Sequence, residues 1–161
     1  MKRGSTWFLR GALLFIALIT ILICVFALPS IAPGMQAEFP AVNTTLLYIS
    51  IGGLYLSAIP IFIALYQSFK LLNFIDKNTA FSQASVNALK AIKYCGLAVC
   101  LGFAAGIPVL FQVAEIDDAP GLGLMALAFA CAPLVITTFA AVLQKLLQNA
   151  INIKSENDLT V

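Results

Sequence analysis

Few residues in this sequence have chemistry to offer. Three carboxylates crowd into "EIDDAP": Glu115, Asp117 and Asp118 could hold a divalent cation weakly, or divide into an acid and a base. Such a run is more often a solvated connector, so no metal is expected there. Four cysteines, Cys24, Cys95, Cys100 and Cys131, are the only thiols, and the chain has no histidine at all. The nearest pair, Cys95 and Cys100, lacks the C-x-x-C spacing of a zinc site, and all four fall in apolar runs where Cys behaves as a small hydrophobe. No metal, disulfide framework or cofactor is expected. With no H-E-x-x-H and no nucleophile beside a base, no catalytic residue is assigned and an enzyme is not expected.

The elements that carry these residues are made of oil. Hydrophobic residues are 61% of the 161-residue chain and charged ones 10%, with a mean hydropathy of +1.01. Soluble domains carry roughly a quarter charged residues, so this is a membrane composition. A spanning helix needs about 20 apolar residues. Four runs qualify: the spans lie at about 7–28, 46–69, 94–114 and 119–144, with Trp7 and Phe8 as interfacial aromatics on the first. None alternates strictly between apolar and polar as a barrel strand does. The fold expected is an all-α membrane protein, a four-helix transmembrane bundle in one domain, 1–161, with a helical hairpin at 70–93 between the second and third helices.

Charge fixes the orientation. Lys2, Arg3 and Arg10 precede or open the first span, Lys70, Lys77, Lys90 and Lys93 lie between the second and third, and Lys145 and Lys154 follow the fourth. All nine basic residues thus fall on one side. The connection at 29–45 holds only Glu38, and that at 115–120 holds the three carboxylates. By the positive-inside rule both termini and the hairpin are cytoplasmic, and the expected location is the bacterial inner membrane. A net charge of +2 does not favour direct nucleic-acid binding. The first apolar run, about 18 residues, exceeds the 7–15 of a signal-peptide core, and Ile23 before Cys24 spoils a lipoprotein box, so the helix is expected to stay uncleaved.

Within the spans no Asp, Glu, Lys, Arg or His appears beyond Arg10, which can snorkel to the headgroups. That argues against proton relays and most ion-coupled transporters. Small residues instead recur at helical spacing: Ala98, Gly102 and Gly106 on the third span, Gly53 and Ser57 on the second, Ala126 and Ala130 on the fourth. In lipid, close backbone approach is what brings helices together, so these are the expected helix-packing residues, within one chain before a homo-oligomer. Pro60, Pro108 and Pro133 each interrupt a span, and the carbonyl each frees must find a neighbour or a Ser/Thr hydroxyl.

The polar island between the second and third spans reads as helix, turn, helix. Ser82 is a natural N-cap, and Val86, Leu89 and Ile92 recur on one face beyond it. The extensions should project roughly 10–15 Å at 1.5 Å per residue, with the tip at residues 76–81. A connector between antiparallel helices needs only about two to eight residues. The excess suggests a contact surface, with Phe81 as an aromatic anchor among Lys77, Asn78, Ser82 and Gln83. The alternative packs Phe81 back on Ile75 or Leu89 to close the turn, with the lysines meeting anionic headgroups.

This stretch, "FIDKNTAFSQASVNALKAIKYCG", resembles the bacterial membrane family catalogued as domain of unknown function 2975. Its members tend to carry an I-x-x-G-x-x-F-s turn entering a helix that runs through L-K-x-I-g. Ile75, Phe81, Ser82, Leu89, Lys90, Ile92 and Gly96 match. Asn78 stands where the family often has Gly, and it equally tolerates a left-handed turn. The resemblance implies a four-span bundle and carries no reaction with it. Such genes often lie beside one for a small helix-turn-helix regulator of the Cro/CI type. The polar hairpin, with no catalytic constellation in the chain, suggests a non-enzymatic regulatory membrane protein with a cytoplasmic partner such as that regulator. A small transporter or channel subunit is the alternative, which a pull-down and gene neighbourhood would separate from it.

Overall fold

The computed structural model describes residues 3–159; Lys2 and Val161 lie outside the described residues. Every described element is helical. The first run comprises α1 (Arg3–Leu22), a π-helical turn (Ile23–Ala27) and α2 (Leu28–Glu38). The second is the single helix α3 (Thr44–Asp76), the third is α4 (Gln83–Ala104) followed by α5 (Ile107–Ile116), and the fourth is α6 (Pro120–Leu159). Segments Thr6–Glu38, Thr44–Asp76, Gln83–Ile116 and Pro120–Glu156 are each long and apolar enough to cross a membrane.

The first run does not end at Leu28. Helix passes through Pro29 and Pro33 to Glu38, across much of the stretch read as a connection. The π turn makes this tolerable. A proline in a regular helix clashes with the carbonyl four residues back, and a widened turn relieves it. Here the Leu28 N–H bonds Ile23 O, five residues back, which releases the Cys24 carbonyl. Tyr55 Oη donates to that carbonyl at 3.1 Å, joining the first run to the second.

The third run breaks where Pro108 removes a donor. Ala105 and Gly106 form a turn, and the Ala105 carbonyl accepts from Ser50 Oγ at 2.8 Å. Ser50 is 5% exposed and also lies 2.8 Å from Leu46 O, so one hydroxyl proton serves two carbonyls.

Neighbours in sequence are neighbours in space. The first run packs on α3, α3 on α4, and α6 on α4 and α5, all antiparallel. Backbones come close between α3 and α4. A Cβ placed on Gly102 would stand 2.6 Å from Ser57 Cβ and 2.8 Å from Gly53 O, and one on Gly53 would stand 2.8 Å from Ala105 Cβ. Between α4 and α6, a Cβ on Gly96 would overlap Thr137 Oγ1, and Cys100 Sγ lies 3.2 Å from Ala130 O. A small core of Val42, Leu47, Ile51, Val109 and Val113 closes the end opposite the hairpin.

Both tight connections end in the same device. Lys77 caps α3, Asn78 adopts φ 54°, its N–H bonds Ile75 O at 3.1 Å, and the Thr79 N–H bonds Phe74 O at 2.9 Å. After α5, Asp118 adopts φ 50° and the Ala119 N–H bonds Ala114 O at 2.9 Å. These are Schellman-type stops, in which Asn and Asp take the left-handed position that Gly usually fills.

Two substitutions test this packing. Gly102→Leu forces a side chain between backbones in contact and should lower stability in detergent by about 1–3 kcal/mol, whereas Leu101→Ala on the exposed face should leave the melting temperature nearly unchanged. Asn78→Gly should be tolerated while Asn78→Val costs about 1–2 kcal/mol, the cost of a Cβ in the left-handed region.

Candidate functional site

The polar residues of the hairpin end gather around the turn from α3 to α4. Its backbone is held from both sides. The Schellman bonds close α3, and Ser82 opens α4 by accepting from the Ser85 N–H, with Ser85 itself fully buried. Ser82 and Ser85 hydroxyls sit 3.2 Å apart. Val86 and Leu89 turn inward and are 3% and 6% exposed, so the first turns of α4 are anchored before the apolar span begins.

Phe81 is left outside. It is 67% exposed and does not fold back to close the turn, a task the backbone hydrogen bonds already perform. Lys77, Asn78 and Gln83 are exposed beside it in the chain, and Ser82 is half-buried by its capping role. The extensions are not free-standing. Leu9, Ala12 and Leu13 of α1 line a crevice with Ser68, Leu72 and Ile75 of α3. On the other side the antiparallel register of α6 carries it past the start of α4 to Leu159.

Arg10, expected from the sequence to snorkel to the headgroups, is tied to the end of α3. Its Nη2 donates to Asn73 Oδ1 at 2.5 Å and to Asp76 Oδ2 at 2.8 Å, and its Cζ stands 5.5 Å from the centre of the Phe69 ring. Its Nε is buried without a hydrogen-bond partner. The reason is geometric: α1 runs antiparallel to α3, so Arg10 stands level with the end of α3 that carries Asn73 and Asp76. Side chains 28% and 35% exposed lie between the surface and the interior, where such a pair is screened less than a surface one. The tie fixes α3 one residue before Lys77.

The small residues sort into two groups. Gly53, Ser57 and Gly102 meet at the α3–α4 contact, with Ser57 3% exposed and Ala98 exposed at its rim. Gly106 lies in the break between α4 and α5, so the four-residue register that starts at Ala98 ends at Gly102. Ala126 and Ala130, 3% and 5% exposed, line a separate apolar cavity with Gly106. Sequence reasoning missed Arg10, Asn73 and Asp76 as a cluster, and Gly96 as a contact. The available signals were a lone Arg opening an apolar run and a lone Asp in a basic segment. Among the described residues no three His, Cys, Asp or Glu side chains converge as a metal site.

The family described as "Protein of unknown function (DUF2975)" matches residues 6–161. A protein of Bacillus subtilis (strain 168), "Uncharacterized membrane protein YoaS", is 51% identical over 161 residues, covering the whole of both chains. No solved structure matches.

A double-mutant cycle tests the charged tie. Arg10→Gln and Asp76→Asn, alone and together, should show a coupling of about 0.5–3 kcal/mol in detergent unfolding, the range for side chains in one network. Strictly additive losses would mean that the pair does not act as one.

Proposed function

We propose, from the premise that this chain belongs to the DUF2975 family of membrane proteins, that it is a non-enzymatic membrane partner of a cytoplasmic protein, docked by the hairpin tip. The observation that carries this reading is Phe81. A large aromatic stands 67% exposed outside the apolar spans, on a turn whose ends are both fixed by hydrogen bonds. An exposed aromatic in a polar rim is the common composition of a binding hot spot, and a rigid turn loses little conformational freedom on binding. Lys77, Asn78 and Gln83 supply the rim, and Ser82 sets its direction through the cap. A small helix-turn-helix regulator is the partner suggested by the family's gene neighbourhoods.

This reading needs the hairpin and both termini in the cytoplasm of a bacterial cell, with the helices in the inner membrane. Support comes from the one-sided distribution of all nine basic residues. A small transporter or channel subunit is the second reading, favoured by the break at Ala105–Gly106, since broken helices line the paths of transporters. Against it, Ser50 is the only polar side chain lining the cavity at that break, and its hydroxyl is already engaged.

Two experiments test the proposal. Cytoplasmic reporters should be active when fused after Lys77 or at the C-terminus, and periplasmic reporters after Pro40 or Asp118; the reverse pattern would remove the tip from any cytoplasmic partner. A photo-crosslinker in place of Phe81, expressed in native membranes, should give one discrete protein adduct that Lys77→Ala with Gln83→Ala abolishes. Lipid adducts alone would assign Phe81 to the headgroup layer and end the docking proposal.

A further inference from the structure

Towards the end opposite the hairpin lies an apolar cavity of about 320 Å³, open on one side and lined by residues from all four runs. Met35 comes from α2, Leu54 from α3, Phe103 and Leu110 from either side of the break, and Ala130 and Phe129 from α6. The break creates it. Where α4 stops and α5 restarts, the third run withdraws side chains that a continuous helix would place between α3 and α6. The cavity follows the helix axes: its lining runs from Leu47 to Leu54 on α3, about 10 Å at 1.5 Å per residue.

We propose that this cavity holds one acyl chain of a phospholipid from the leaflet opposite the hairpin. Water is a poor occupant, because a buried water needs two to four polar partners and the single polar lining group, Ser50, already shares its proton between Leu46 O and Ala105 O. Left to water, its apolar lining would stay hydrated, which is unfavourable. An apolar cavity of about 150 Å³ admits a benzene molecule, and this one is about twice that size. Hydrocarbon is also what lies at the mouth. α2 and α6 flank the cavity without substantial packing on each other, and Phe129 at its rim is 61% exposed toward the bilayer. A chain lying along the helix axes enters sideways, while its headgroup stays near Asn43 and Gln112, whose backbone N–H and side-chain oxygen meet at 3.1 Å at that end.

The test uses the full chain reconstituted in phosphatidylcholine vesicles doped with phosphatidylcholine carrying a mid-chain diazirine, with adducts mapped by mass spectrometry after irradiation. The expected result is labelling of the half-buried Leu54, Phe103 and Leu110 as well as of the outward Leu101 and Leu124. In Ala130→Leu, and independently in Leu54→Phe from another helix, labelling of Phe103 and Leu110 should be lost while Leu101 and Leu124 remain labelled. The retained outward labelling shows that the variant is still inserted, and an unchanged melting temperature in detergent shows that it is folded. Labelling confined to Leu101 and Leu124 in the wild type would overturn the proposal. So would inner labelling that survives both filling variants, or inner labelling by a diazirine fatty acid but not by the phospholipid.

Discussion

Inside hydrocarbon a backbone carbonyl has no water to turn to, and this chain places a proline in every one of its four helical runs. Much of the architecture follows from how the released carbonyls are satisfied. The π turn before Pro29 frees Cys24 O, which Tyr55 takes; the break before Pro108 leaves Ala105 O, which Ser50 takes. A different hydroxyl contact serves α6, where Thr137 back-bonds to Pro133 O within the helix and its side chain meets the bare backbone of Gly96. Each of these groups also identifies a neighbour. Tyr55 joins the first run to α3, Ser50 joins α3 to the third run, and Thr137 marks where α6 meets α4. Serial packing is thus written partly in hydroxyl groups, while the glycines decide how close the helices come.

The four spans, the helical class and the family could be read from the sequence because length, apolar content and the tip motif are local properties. Ser82 as a cap and Asn78 as a left-handed residue were legible for the same reason: each acts on backbone within a few positions. What escaped were properties of register between distant segments. Nothing near Arg10 in sequence indicates that a carboxylate 66 positions away will stand beside it. Gly96 and Gly102 sit on one helix, yet one faces α6 and the other α3, and spacing alone cannot assign them. Gly106 continues the spacing of Ala98 and Gly102 on paper, but the break at Pro108 takes it out of that face.

The two ends of the molecule are built on different physics. At the hairpin end, charge and capping fix the backbone: Arg10 with Asp76 and Asn73, Ser82 with Ser85, and the stop at Asn78. At the opposite end, a small apolar core and an apolar cavity lie around the broken helix, and the hydroxyl of Ser50 serves the backbone. The α4–α5 run belongs to both ends. Its first turns carry the capped tip, and its break opens the cavity.

The tie between Arg10 and Asp76 also sets a clock on biosynthesis. At a translation rate of about 5–20 residues per second, the 66 residues that separate them take roughly 3–13 s to make. Through that interval the Asp76 carboxylate does not yet exist. The contact between the first helix and the end of α3 can therefore form only after the whole of the second helix has been made.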